Sequence, residues 1–249
     1  MPDKTILLDH GSGGRLSRDL IDSLFVKYFD NPALNRRTDA ALLPALTGRP
    51  ALTTDSYVIT PHIFPGGDIG ALAVCGTIND LAVSGATPLA LTAGFILEAG
   101  FEFSTLETIV SSMARTAREA GVAIVTGDTK VVERGQCDGV YINTAGLGEI
   151  TPAREAIGAA SEARPGDAVI VSGPIADHGM AVMAARNEFP VQGDLRSDCA
   201  PLHRMIRALL DNAPGVSFMR DATRGGLGAV LCELAAMTGL GVAIHENRI

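Results

Sequence analysis

Apolar residues recur along this chain at two periods that take turns. Leu16, Leu20, Ile21, Leu24, Phe25 and Tyr28 fall at helical spacing, whereas residues 53–59 alternate as a half-buried strand does. Residues 70–84 return to helical spacing through Leu72, Val74, Ile78, Leu81 and Ala82, and 89–97 read as a strand. Ser104-x-x-Glu107 has the form of a capping box ahead of Leu106, Ile109, Val110, Met113 and Ala117, so a helix is expected there. Residues 122–126 and 140–147 read as further strands. Between 150 and 167 the composition shifts to Ala, Gly, Pro and charge, which marks a boundary. Beyond it, strands are expected at 168–172, 216–219 and 242–245, and helices near 177–187, 201–210 and 225–237. The alternation predicts an α/β (α+β) protein of two domains, 1–152 and 153–249. With so few strands, the second domain is expected to be incomplete.

Composition narrows the class. Apolar residues are 47% and charged residues 19%, enough for a core and incompatible with wholesale disorder. Aromatics are 4% and tryptophan is absent, so the core is aliphatic and base stacking is not expected. A net charge of −8 without a basic run argues against nucleic acid or a membrane surface as partner. The longest uncharged run, 81–97, is broken by Ser84, Gly85, Thr87 and Pro88 and falls short of the ~18–20 apolar residues of a spanning helix. Cys75, Cys137, Cys199 and Cys232 are far apart in sequence. That excludes zinc-type spacing and suggests reduced thiols in a cytoplasmic protein. Met1-Pro2-Asp3-Lys4 does not begin a secretory leader.

Chemistry could sit at four acids. Asp55 and Asp80 lie among apolar neighbours, where a carboxylate is costly unless paired or on a metal. Asp128 follows Gly127 after an apolar strand, and Asp39 sits in Thr38-Asp39-Ala40; a turn and a helix cap are equally natural readings of these two. Carboxylates at strand ends suit Mg²⁺, which prefers oxygen ligands and bridges phosphates. Lys130 could meet a phosphate or simply be solvated. His10-Gly11-Ser12-Gly13-Gly14 and Asp221-Ala222-Thr223-Arg224-Gly225-Gly226 each precede an expected helix and could present N–H groups to anions, or could be ordinary turns. Neither is a P-loop or a dinucleotide fingerprint, and the histidines and serines form no zinc or hydrolase motif.

The strings Thr54-Asp55-Ser56-Tyr57, Cys75-Gly76-Thr77-Ile78-Asn79-Asp80, Thr126-Gly127-Asp128-Thr129-Lys130 and Arg220-Asp221-Ala222-Thr223-Arg224-Gly225-Gly226 resemble the HypE family of hydrogenase maturation proteins, within the PurM-like superfamily. The resemblance runs nearly end to end. It implies a PurM-like architecture, an N-terminal ATP-binding and dimerising domain followed by a second domain. It also implies an ATP-dependent carbamoyl dehydratase that converts a cysteine S-carboxamide to a thiocyanate, the source of cyanide for [NiFe]-hydrogenase. HypF is the implied carbamoyl donor, the HypC–HypD complex the acceptor, and a homodimer the assembly. ATP and Mg²⁺ are the implied cofactors. By the same resemblance Asp55, Asp80 and Asp128 hold metal, Gly13, Gly14, Asp39, Asn79, Thr126, Gly127 and Lys130 contact nucleotide, and Lys130 and Arg224 act in catalysis. Family members end in a Pro-Arg-Ile-Cys type tail, which this sequence lacks, so nucleotide binding without turnover is expected of it. The rival readings are a superfamily kinase such as thiamine-monophosphate kinase, and a non-catalytic short form acting as a dimerisation or binding partner.

Overall fold

The computed structural model describes residues 4–186, 193–245 and 247. Four strands form the main sheet: β1 (Arg49–Tyr57), β4 (Thr87–Glu98), β5 (Ala123–Val132) and β6 (Val140–Ile150), in the order β1-β6-β4-β5. A two-stranded ribbon, β2 (Ile63–Phe64) with β3 (Gly67–Asp68), leads into helix α3 (Ile69–Val83). Strands β1 and β4 both run antiparallel to β6. Strands β4 and β5 are parallel, which requires a crossover, and helix α4 (Phe103–Ala120) supplies it.

Helices α3 and α4 cover one face of this sheet. Leu91, Phe95, Leu97, Ile109, Met113, Val140 and Ile142 are buried in the resulting core, aliphatic as the composition predicts. The N-terminal helical segment packs on the same core through Leu20, Leu24, Phe25 and Phe29. It runs as α1 (Arg15–Leu20), a π-helical turn (Ile21–Val26) and α2 (Lys27–Phe29). The opposite face of the sheet is open, with Leu52 77% exposed and Ile96 also exposed.

Caps fix where the helices begin and end. Asp68 accepts hydrogen bonds from the Gly70 and Ala71 N–H groups at 2.8 and 3.0 Å, which starts α3. Gly121, at φ 75°, ends α4. The expected Ser104–Glu107 capping box does not form. Glu102 is the N-cap, without a side-chain cap, because the Phe103 N–H is held by the Lys4 carbonyl beside the Thr5–Glu102 bridge. Glu107 turns instead to Lys27 and Tyr28, at 3.0 and 2.8 Å.

The second half differs from expectation in its strands. Helices α5 (Asp177–Ala185), α6 (His203–Asn212) and α7 (Gly226–Thr238) lie where periodicity puts them; Asn187, the expected end of the first, lies outside the described residues. Residues 168–172, 216–219 and 242–245 form no strand among the described residues. An extended segment becomes a strand only when a neighbour takes its N–H and C=O groups, and these segments find none among the described residues: Ile170 is 87% exposed. This half leans on the first through Ile206, packed with Leu202, Leu210 and Met219 against Ala82 and Val83 at the end of α3.

Candidate functional site

Pleating of β1 puts Thr53, Asp55 and Tyr57 on the helix-covered side, where Asp55 pairs in register with the fully buried Thr144. Helix α3 brings Asp80 to the same place. The Thr53 hydroxyl donates to Asp80 Oδ2 at 2.9 Å, and the Tyr57 hydroxyl donates to Asp55 Oδ2 at 3.0 Å. Asp221, in the segment leading to α7, meets them from the second half. Burial, and then the negative charge of Asp221, push the Asp80 carboxyl up from 3.8 to about 6; the Thr53 hydrogen bond opposes the rise and the charge of Asp55 adds to it. Burial likewise holds the Tyr57 hydroxyl well above the ordinary phenol range, with the charges of Asp55 and Asp80 adding. A cleft of about 250 Å³ opens here, lined by Thr53, Asp80, Ser84, Gly158, Arg220 and Asp221.

Asp128 lies elsewhere. Asp55, Thr144, Ala93 and Gly127 form one row across the four strands, and the next row is Ser56, Asn143, Gly94 and Asp128. Successive rows face opposite sides of a sheet. Asp128 therefore stands on the open face, ion-paired at 3.0 Å to the exposed Lys130. Within one chain the sheet separates it from Asp55 and Asp80, so the expected trio of metal-binding acids is not brought together. Among the described residues no three His, Cys, Asp or Glu side chains are grouped to hold a metal.

The other expected residues divide in the same way. Gly11 packs on Val131 of β5, which sets the glycine-rich N-terminal loop beside the Asp128–Lys130 strand. In that loop Gly13 takes φ +80°, a left-handed conformation that favours glycine, and its N–H is already bonded to Ser17 Oγ at 2.9 Å. Gly14 is the N-cap of α1. A Cβ on Gly127 would run into the Ala93 carbonyl, which explains glycine at that place in β5. Thr126 is half-buried one residue earlier. Asp39 lies in an exposed bend. Asn79 does something its sequence context did not suggest: its amide donates to the Ala200 carbonyl at 3.0 Å and accepts from the Leu202 N–H at 2.8 Å. Arg224 is exposed just before Gly225, the left-handed N-cap of α7.

Asp221, Thr53 and Tyr57 are site residues that sequence alone did not single out. Asp221 was hidden beside the glycines and arginine of its own string; an acid directly ahead of a glycine-rich helix start was the available signal. The donor set suits a hard cation. Mg²⁺ is commonly held by one or two carboxylates together with phosphate oxygens and waters. The repulsion between the Asp80 and Asp221 carboxylates is what a cation between them would relieve.

Comparison with known proteins identifies the family of the fold. The family model for the AIR synthase related protein N-terminal domain matches residues 37–150, and that for the C-terminal domain matches 164–249. Carbamoyl dehydratase HypE of Rhodobacter capsulatus is 51% identical over 250 residues, covering 99% of this chain and 73% of that protein. The HypE of Escherichia coli (strain K12) is 52% identical over 246 residues, 97% of this chain and 72% of its own length. Among solved structures, the hydrogenase maturation protein HypE in complex with ATP superposes with a TM-score of 0.87 at 49% identity, over 94% of this chain and 69% of that one. A HypE–HypF complex gives a TM-score of 0.73 at 49% identity, over 88% of this chain and 70% of that one. With its PurM-like two-domain fold and identity of this extent, the chain belongs to the HypE family of carbamoyl dehydratases.

Proposed function

We propose that this protein is an ATP-dependent carbamoyl dehydratase of hydrogenase maturation, with the nucleotide phosphates held through Mg²⁺ at the Asp80–Asp221 cleft. One observation carries the reading: two half-buried carboxyls that repel each other line one cleft of about 250 Å³, in a family with an ATP-bound relative. When bound, Mg²⁺ and ATP supply a phosphoryl group whose transfer turns a carboxamide oxygen into a good leaving group. In balance, R–S–C(O)NH₂ and ATP give R–S–C≡N, ADP and phosphate, and the nitrogen gives up both protons.

The chain's own residues orient and exclude. Thr53 fixes the Asp80 carboxyl where it lines the cleft, and Tyr57 fixes that of Asp55 beside it. Arg224, at the start of α7, supplies a planar donor for an anionic group. Asp128 and Lys130 stand on the open side of the sheet, and the loop at Gly13 and Gly14 lies along its β5 edge. They reach nucleotide if two chains pair through that face, and the exposed Leu52 and Ile96 make it a natural homodimer seam. Thr126, Gly127 and Asn79 then act as supports: the first two shape β5, and Asn79 holds the second half against α3. The HypE–HypF relative supports HypF as a partner; in this reading HypF is the carbamoyl donor and HypC–HypD the acceptor, in the cytoplasm. In this reading residues 1–152 form the nucleotide-binding and dimerising domain and residues 153–249 the second domain.

The test uses a peptide ending in an S-carbamoylated cysteine as substrate. With Mg²⁺ and ATP, the peptide is expected to lose the elements of water while ADP forms in equal amount. ADP formation that ignores this peptide but responds to thiamine monophosphate would establish the kinase reading instead. Tight binding of a HypF relative with no ATP use under any condition would establish the non-catalytic one.

A further inference from the structure

Two thiols meet where the segment 193–202 lies across α3. The segment is pinned at both ends. The Ser197 N–H donates to the Pro65 carbonyl at 2.8 Å, and Asn79 holds Ala200 and Leu202. Cys199 lies between these anchors. Cys75 precedes Asn79 by one helical turn, so the two share the face of α3 that the segment covers. The Cys75 thiol is buried and neighbours that of Cys199, which is half-buried. The Cys199 N–H donates to Ser197 Oγ at 3.1 Å, and the same oxygen lies 2.9 Å from His178 Nδ1, so the segment around Cys199 is held in place.

We propose that Cys75 and Cys199 are a dithiol that a peroxide converts to an intrachain disulfide, a modification site joining α3 to the segment 193–202. The Cys199 sulfur is the accessible one. As thiolate it attacks a peroxide oxygen; the O–O bond breaks, hydroxide leaves, and a sulfenic acid forms. The Cys75 sulfur then attacks the Cys199 sulfur and loses its proton as the S–O bond breaks and water leaves. Two thiols are oxidised and one hydrogen peroxide is reduced to two waters. The contact with Cys199, and burial after it, hold the Cys75 thiol up, so Cys75 serves as the resolving partner and not as the first point of attack. Asp80 follows Asn79 directly on α3, so the bond would clamp the helix that carries one wall of the cleft to the second half of the chain. The proposal stands independently of what the cleft binds.

Hydrogen peroxide is added to the purified protein, which is then unfolded, alkylated without reduction and mapped as peptides. The expected product is a linked peptide pair containing Cys75 and Cys199, two hydrogens lighter than the separate thiols, undone by dithiothreitol and missing in Cys199→Ser. Amide exchange over residues 197–202 is expected to slow on oxidation. The proposal is overturned if Cys75 remains fully alkylated while Cys199 proceeds to sulfinic acid. It is equally overturned if Cys199 links to Cys137, to Cys232 or to a second chain. The wild-type peptide map is decisive by itself, so the outcome does not depend on whether the variant folds.

Discussion

Replacing Asp80 by Asn is expected to stabilise the metal-free protein at pH 8 and about half as much at pH 5. The folded chain holds the Asp80 proton up to about pH 6, whereas the unfolded chain releases it near 3.8. A carboxyl raised in this way contributes stability that is complete below the lower value and is lost as pH rises through the upper one. At about 1.4 kcal/mol for each tenfold change in proton affinity, the full difference is roughly 3 kcal/mol. Asp80 is only half-buried, so solvent screening reduces this to ~1–2 kcal/mol. The asparagine amide of the variant has the same shape as the carboxyl and still accepts from Thr53, but carries no charge to repel Asp221 and Asp55. For a chain of this size the gain corresponds to a rise in Tm of roughly 2–8 °C. The assay is thermal unfolding of both proteins in EDTA at pH 5 and pH 8. A variant that melts at or below the wild type at pH 8, or an advantage equal at both pH values, would mean that ionised Asp80 carries no such penalty.

Other outcomes follow from single contacts. Asp68→Ala removes the N-cap of α3, and chemical denaturation should show a loss of ~1 kcal/mol. Asn79→Ala removes both bonds that hold Ala200 and Leu202, at a cost of about 1–2 kcal/mol, and amide exchange over 199–206 should accelerate. If Asn79 instead serves mainly the nucleotide, ATP affinity will fall with exchange unchanged. Leu52→Lys places a charge on the open sheet face and should convert a dimer to single chains in sedimentation velocity. A wild type that already sediments as one chain removes the seam.

Legibility in sequence followed the physics of pattern. The helices and strands up to residue 150 could be read because each buries one face against the same core, so period and burial agree: Thr53, Asp55 and Tyr57 alternate inward as the pattern predicts. The helices of the second half were legible for a similar reason, since Ile206 packs on Val83. Its strands were not, because a strand depends on a partner that local sequence does not reveal. Asp80 could be found as an acid among apolar residues, a costly placement that calls for compensation. Asp221 could not be paired with it, because the two meet across 141 positions of sequence. Nor could the separation of Asp128 be seen. A one-residue difference in register decides which face of a sheet a side chain occupies, and register becomes visible only when the strands are paired.

Whether Asp80 and Asp221 together hold Mg²⁺ and ATP is open to direct measurement. ATP is titrated calorimetrically with Mg²⁺, and again with EDTA, into the wild type and Asp221→Asn. Binding is expected to require Mg²⁺ and to weaken at least about tenfold, ~1.4 kcal/mol, in the variant. Affinity that is the same in EDTA, or unchanged in Asp221→Asn, would contradict a metal-bridged nucleotide at this cleft.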